Sequence, residues 1–346
     1  MKEAALYTKL KKNVVKCHTC GYECVIAKGK KGFCQTRLNE NGKLYSLIYG
    51  KITGGIQIDP IEKKPMYHFF PGTMVASIGS MGCNFRCKQC LNYFTSYEYD
   101  FSHLEDEITI TPKEFINEVK KLNVSGVAFT YNEPTIWIEF VHEAAKLAKK
   151  ENLYTVFVTN GYLTEESLDY IGPYMRGYAV DFKGFSNLSY KKQGNEVDFQ
   201  KIIELTKRAQ EKWRMKVEIT TLIIPGINDS VSELKKMSKW IRDNLGSNTP
   251  WHLSQYSPEL APDAEFREIA TTSKAILGKA SQIGKTAGLN FVFVWAPSSN
   301  FSISDTVCPN CQKMVIKRSG WNVSSPNFNP AGKCSFCGYD LDIIIS

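Results

Sequence analysis

The chain has 346 residues, 43% of them hydrophobic, which is enough for a sizeable core and about right for an α/β barrel with attachments. It holds no run of about 18 apolar residues and its charged start lacks the apolar heart of a secretion signal, so no membrane span is expected and a cytoplasmic location is. The formal net charge is +8, with basic excess in Lys9, Lys11, Lys12, Lys16, Lys28, Lys30 and Lys31; this reads as a solvated face or a salt-sensitive contact for an acidic protein, and nucleic acid is not the expected partner.

Residues 1–72 come first, with strand-like runs at 43–49 and 52–58 around Gly50 and a stretch at 59–65 too rich in proline for a helix interior. From Met74 short apolar runs at 74–78, 127–130, 154–159, 177–181, 217–223, 251–255 and 291–294 predict strands. Apolar residues at helical spacing predict helices at 115–122, 136–150, 199–213, 231–244 and 273–287. This alternation fits an incomplete (β/α)6-type barrel over 73–299 better than a full eightfold one, with a doubly wound sheet as the alternative. Residues 300–346 are rich in Ser, Asn and Gly; a segment of that size needs a metal to stabilise it.

The eleven cysteines form three groups with none left over: Cys17, Cys20, Cys24, Cys34; then Cys83, Cys87, Cys90; then Cys308, Cys311, Cys334, Cys337. A disulfide framework would spread through a small secreted chain, whereas tight groups in a cytosolic one point to metal. The middle group is Cys-x3-Cys-x2-Cys and follows the first strand of the alternating unit. A cubane that only carries electrons takes four thiolates. Three cysteines leave one iron open, so a [4Fe–4S] cluster with an exchangeable corner is expected; a zinc site, or a cluster completed by a distant ligand, is the rival. The last group has the spacing of a zinc ribbon or rubredoxin-like domain, with zinc preferred to iron. The first group is less standard; zinc is the first choice and a second cubane the alternative.

In this order the motifs carry a resemblance: Gly29-Lys30-Lys31-Gly32-Phe33-Cys34 with Arg37 and Asn39, the stretch Ile58 to Phe69, Gly82-Cys83-Asn84-Phe85-Arg86-Cys87, Thr130-Tyr131-Asn132-Glu133-Pro134, Thr159-Asn160-Gly161-Tyr162, Val180-Asp181-Phe182-Lys183, Ile224 to Ser230 and Pro250 to Ser254. The chain resembles the radical S-adenosylmethionine (SAM) superfamily, and within it the radical SAM enzyme of the AmmeMemoRadiSam system, a relative of pyruvate formate-lyase activating enzymes. The resemblance implies an anaerobic, activating-enzyme-like oxidoreductase in which Cys83, Cys87 and Cys90 hold the catalytic cluster. SAM bound at the open iron is cleaved to a 5′-deoxyadenosyl radical that takes hydrogen from a substrate. It also implies a low-potential external reductant, with Memo-like and AMMECR1-like proteins as partners.

For cofactor binding the family pattern places Asn132 and Glu133 at the SAM amino group, Asn160 after the third strand, and Asp181 with Lys183 after the fourth. A surface Glu133 and a structural Asp181–Lys183 ion pair are the competing readings. Glu218 and Thr220 share one face of the fifth strand by alternation and join the set; His252 lines the pocket or is structural. The chain departs from the pattern at Gln89, where the family has an aromatic, at Trp295-Ala296-Pro297 in place of Gly-Asn, and over 258–272. The substrate is expected to be a partner protein, with a small molecule or lipid as the alternative; a plain electron-transfer or nucleic-acid-binding metal-ribbon protein is the rival outside enzymes.

Overall fold

The computed structural model describes residues 1–299 and 301–345; Asn300 and Ser346, both inside the last expected domain, lie outside the described residues. Seven parallel strands form its centre: β1 (Met74–Ile78), β2 (Gly126–Phe129), β3 (Tyr154–Thr159), β4 (Gly177–Asp181), β5 (Lys216–Ile223), β6 (Trp251–Gln255) and β7 (Val292–Ala296). Strand order follows chain order throughout. A doubly wound sheet reverses direction in its middle, so that alternative is set aside for a singly wound α/β sheet. The strands are buried along nearly their whole length, as expected of parallel strands covered on both faces.

Gln57–Pro60 adds antiparallel to β1 at one edge and Phe301–Ile303 adds antiparallel to β7 at the other. Terminal segments on both sides are therefore stitched to the central sheet. The expected strand over 52–58 divides into Lys51–Ile52 and Gln57–Pro60, because Gly54 and Gly55 turn the chain at φ 68° and 72°.

Among the described residues, six helices of seven residues or more follow the strands: α1 (Pro112–Val119), α2 (Ile138–Lys150), α3 (Glu165–Ile171), α4 (Phe199–Glu211), α5 (Val231–Leu245) and α6 (Lys274–Thr286). Their starts are written locally. Thr111 and Glu114 form a capping box on α1 with Pro112 in the first turn, and Thr164, Asp198, Ser230 and Ser273 cap α3, α4, α5 and α6. Helix α3 was not expected; its seven residues are too few for a clear period, though Thr164 followed by Glu165 and Glu166 is a start signal.

The C-terminal hairpin, Met314–Ser319 with Asn322–Ser324, packs with Cys308, Cys334, Leu341 and Ile343 against Tyr67, Phe291 and Phe293. Phe70 N–H donates to Ile344 O at 2.6 Å and Arg318 Nη2 to Tyr67 O at 2.7 Å. The segment carrying Tyr67 and His68 thus lies between this hairpin and the sheet interior, where both backbone amides donate to Glu218 at 2.9 and 2.7 Å.

Candidate active site and metal centres

The loop after β1 carries Cys83, Cys87 and Cys90, at the strand end where βα folds build their active sites. Gly82 turns into it at φ 89°, and a side chain there would place its Cβ 2.5 Å from Thr36 Cγ2. Cys83 and Cys87 are buried and Cys90 is half-buried. Burial pushes all three thiols up, Cys87 to about 11, so they would stay protonated without a metal to take the proton's place. Yet N–H donors already point at the sulfurs. Phe85 N–H donates to Cys83 Sγ at 3.3 Å and Asn195 Nδ2 to Cys87 Sγ at 3.2 Å. Donors that favour a thiolate, in a place that disfavours a free one, fit a bound iron–sulfur cluster.

The loops after β2, β3 and β4 converge on this turn. Glu133 is 2% exposed and accepts from Thr135 N at 2.9 Å, Thr159 Oγ1 at 2.8 Å and Asn160 N at 2.7 Å. It caps a one-turn 3-10 helix, Pro134–Trp137, and burial raises its pKa. Asn160 Nδ2 donates to Asn84 Oδ1 at 2.7 Å, and Asn84 Nδ2 to Tyr162 O at 3.1 Å, tying the β3 loop to the cysteine turn. Asn132 Nδ2 donates to Ser80 O at 2.6 Å and Thr95 O at 3.0 Å.

Lys183 Nζ pairs with Asp181 at 2.8 Å. Burial works against its charge, but Asp181 and the sulfurs of Cys87 and Cys90 outweigh it and raise the pKa. The Asp181 carboxylate keeps 41% of its side chain exposed, so it can still meet a ligand.

Thr220 lies beside Asp181 in register, while Glu218 lies beside Ala179, two residues and about 6.6 Å deeper. The Glu218 carboxylate is engaged by Tyr67 N, His68 N and His252 Nε2, the last at 2.7 Å. Thr220 Oγ1 is buried without a partner and borders a cavity of about 150 Å³ lined also by Glu62, His252, Trp295 and Trp321. Burial pushes Glu62 up to about 7, against the pull of Arg318.

Residues not picked out from sequence complete the turn. Asn195 Oδ1 accepts from Arg86 N at 2.8 Å, and Tyr97 donates to Cys87 O at 2.9 Å. Gln193 Nε2 donates to Lys183 O and its Oε1 accepts from Gln89 Nε2, both at 2.5 Å. Gln89 Oε1 itself is buried with no partner. The one sequence cue to Asn195 is its place after Gly194, which turns at φ 87° against the Arg86 carbonyl.

Among the described residues, the C-terminal Cys308, Cys311, Cys334 and Cys337 are the quartet whose sulfurs all lie within 4.8 Å of one another. Cys308 and Cys337 stand 3.6 Å apart, Cys311 and Cys334 3.8 Å. A tetrahedral site with bonds of about 2.3 Å has sulfur edges of about 3.8 Å, so the quartet fits one metal ion. Cys17, Cys20, Cys24 and Cys34 line one cavity with Thr19, Ile26, Arg37 and Ile136.

These cysteine groups define a metal-binding protein. The model of the radical SAM superfamily matches residues 77–241. A protein of Methanocaldococcus jannaschii with no assigned activity is 35% identical over 349 aligned positions, covering 100% of both chains. A second M. jannaschii protein, named as a glycyl-radical enzyme activating enzyme, is 24% identical over 227 positions, covering 62% of this chain and 87% of its own. Among solved structures, a domain of pyruvate-formate lyase-activating enzyme from Bacteroides vulgatus covers 50% of this chain and 99% of its own at 18% identity, with a TM-score of 0.42. The chain belongs to the radical SAM superfamily and is an oxidoreductase of that type.

Proposed function

We propose that the enzyme cleaves SAM reductively at Cys83, Cys87 and Cys90 and uses the radical to take hydrogen from a residue of a partner protein, in the manner of an activating enzyme. The observation that carries this is the convergence of Glu133, Asn160, Asp181 and Lys183 on the cysteine turn. When bound there, a [4Fe–4S] cluster supplies one electron to the SAM sulfonium and yields methionine and the 5′-deoxyadenosyl radical.

The chain's own residues do the positioning. Phe85 N–H, the Asn195 amide and the Lys183 ammonium offset negative charge at the sulfurs. Asp181 and Asn132 serve the SAM amino group. Thr220, level with Asp181, faces the ribose side, with Glu218 behind it. Gln89 Oε1, the buried acceptor without a partner, stands in for the missing aromatic and takes the adenine amino group. Trp295 and Trp321 stack at 5.0 Å over the 150 Å³ cavity, which takes the reacting side chain and keeps water from the radical.

The glycyl-radical activating relatives favour a protein substrate over a small molecule or lipid. We read the sheet as an incomplete barrel flanked by 1–72 and 300–346. The C-terminal quartet holds zinc, a Memo-like or AMMECR1-like protein is the partner, and a low-potential donor supplies the electron. Anaerobic assay of deoxyadenosine formation tests the central step. Replacing Cys83, Cys87 and Cys90 together by Ala abolishes it; retained formation would reject the assignment.

A further inference from the structure

The N-terminal quartet has a geometry of its own. Its four cysteines border one cavity, and Cys17, Cys20 and Cys34 are buried. Zinc draws four thiolates to edges of about 3.8 Å. Among the described residues, the C-terminal quartet is drawn together in this way, and neither the N-terminal four nor the triad forms such a single-ion group. A cubane carries its thiolates on the outer corners of a larger inorganic body, so they stand farther apart than around a single ion. In spacing, the N-terminal quartet goes with the cluster-binding triad and not with the ribbon.

A second observation points to an anionic group in the same cavity. Arg37 is 1% exposed and lines it. Its Nη1 pairs with Glu139 at 2.6 Å and its Nη2 donates to Ile136 O at 3.0 Å, which leaves Nε–H buried with no acceptor. Such an orphaned cationic donor costs free energy unless something negative meets it. Hydroxyls stand at two of the sulfurs: Thr19 Oγ1 is 3.4 Å from Cys17 Sγ and Thr36 Oγ1 3.1 Å from Cys34 Sγ.

The quartet also touches the triad's loop. Arg86, between Cys83 and Cys87, donates to Phe33 O at 2.7 Å and lies over the Phe33 ring at 4.5 Å. A Cβ built on Gly82 would lie 3.4 Å from Cys34 O. The backbone beside one site packs on the backbone beside the other.

We propose that Cys17, Cys20, Cys24 and Cys34 hold a second [4Fe–4S] cluster, in place of the zinc that their sequence pattern favoured, with Arg37 Nε–H donating to a sulfur of it. Four thiolates leave no open iron, so this group is a one-electron carrier beside the triad. One electron from a low-potential donor such as dithionite lowers its core charge by one, with no bond made or broken.

The test uses the full chain with Cys83, Cys87 and Cys90 replaced together by Ala, reconstituted anaerobically with iron and sulfide. About four irons per chain remain, and dithionite reduction gives an electron paramagnetic resonance signal that SAM leaves unchanged. Cys20→Ser with Cys24→Ser in the otherwise native protein loses about half the iron and keeps the SAM-sensitive signal. If the triple variant fails to fold, the native protein decides: about eight irons per chain support the proposal and about four overturn it. A triple variant with no iron and about two zinc ions per chain overturns it as well.

Discussion

Glu133 gives the sharpest separation between a residue that binds SAM and one that builds the place where SAM binds. Its oxygens satisfy two buried backbone amides, Thr135 N and Asn160 N, and one hydroxyl, Thr159. Glu133→Ala leaves the two amides without acceptors. Each such orphan costs about 1–3 kcal/mol, and water entering the space recovers part of it, so a loss of about 3 kcal/mol is expected. The Thr159 hydroxyl adds little, because it can turn to another acceptor while still accepting from Gly161 N. For a chain of this size, with a slope of about 3 kcal/mol per molar urea or more, the midpoint falls by about 0.5–1 M. Glu133→Gln keeps one acceptor oxygen and falls by less. The assay is urea unfolding followed by tryptophan fluorescence, beside SAM affinity on anaerobically reconstituted protein. A pure ligand contact would lose affinity and keep the midpoint. An Ala variant whose midpoint stays within about 0.2 M of the native value would refute the structural accounting.

Three further outcomes are expected. Asn195→Ala removes the donor to Cys87 Sγ and the acceptor for Arg86 N, so it shifts the reduction midpoint of the SAM-sensitive cluster downward in an anaerobic redox titration, because the thiolate loses a stabilising donor; an unchanged potential counts against the contact. Cys334→Ala releases about one metal ion by elemental analysis and loosens residues 301–345, while SAM binding persists, since ribbon metal binding is folding free energy. Glu62, 1% exposed, has a folded pKa of about 7 against an ordinary 4.5, so it adds stability that is full below about pH 4.5 and lost as pH rises to about 7. The loss is up to about 3 kcal/mol, and Glu62→Gln should flatten the fall in urea midpoint between pH 5.5 and 8.

Much of this was readable from the chain because the signals are local. Each cysteine group sits within a few turns of sequence, and the parallel strands announce themselves as apolar runs between capped helices. What stayed hidden depends on distance. Alternation put Glu218 and Thr220 on one face, but it gives no depth along the strand, and the partners that occupy Glu218 come from Tyr67 and His68, about 150 residues away in sequence. Asn195 lies in a polar stretch with no motif; only the fold brings it to Cys87. The spacing of Cys17 to Cys34 says metal but not which metal, since thiolates suit both zinc and iron; the idle Arg37 Nε that speaks for an anionic group comes to light only in the fold.

The ties between the N-terminal segment and the central sheet bear on what that segment is for. A docking module that merely recruits a partner needs few bonds to the catalytic core and can be lost without cost to it. Here the Arg37–Glu139 pair is 2% exposed on both sides and joins the segment to the first turn of α2. Breaking a pair buried to that degree by removing one partner costs about 3–5 kcal/mol. Thr164 and Ser167, at the start of α3, donate to the carbonyls of His18 and Thr19, and Gly21 N donates to Tyr162 O beside the Asn84–Asn160 link. The first cysteine group is thus held to the same loops that position the triad, whereas the C-terminal quartet packs on Tyr67, Phe291 and Phe293. The backbone beside the N-terminal site meets the cysteine turn at Arg86, Gly82 and Tyr162, so the segment helps to build that turn and does more than cover it.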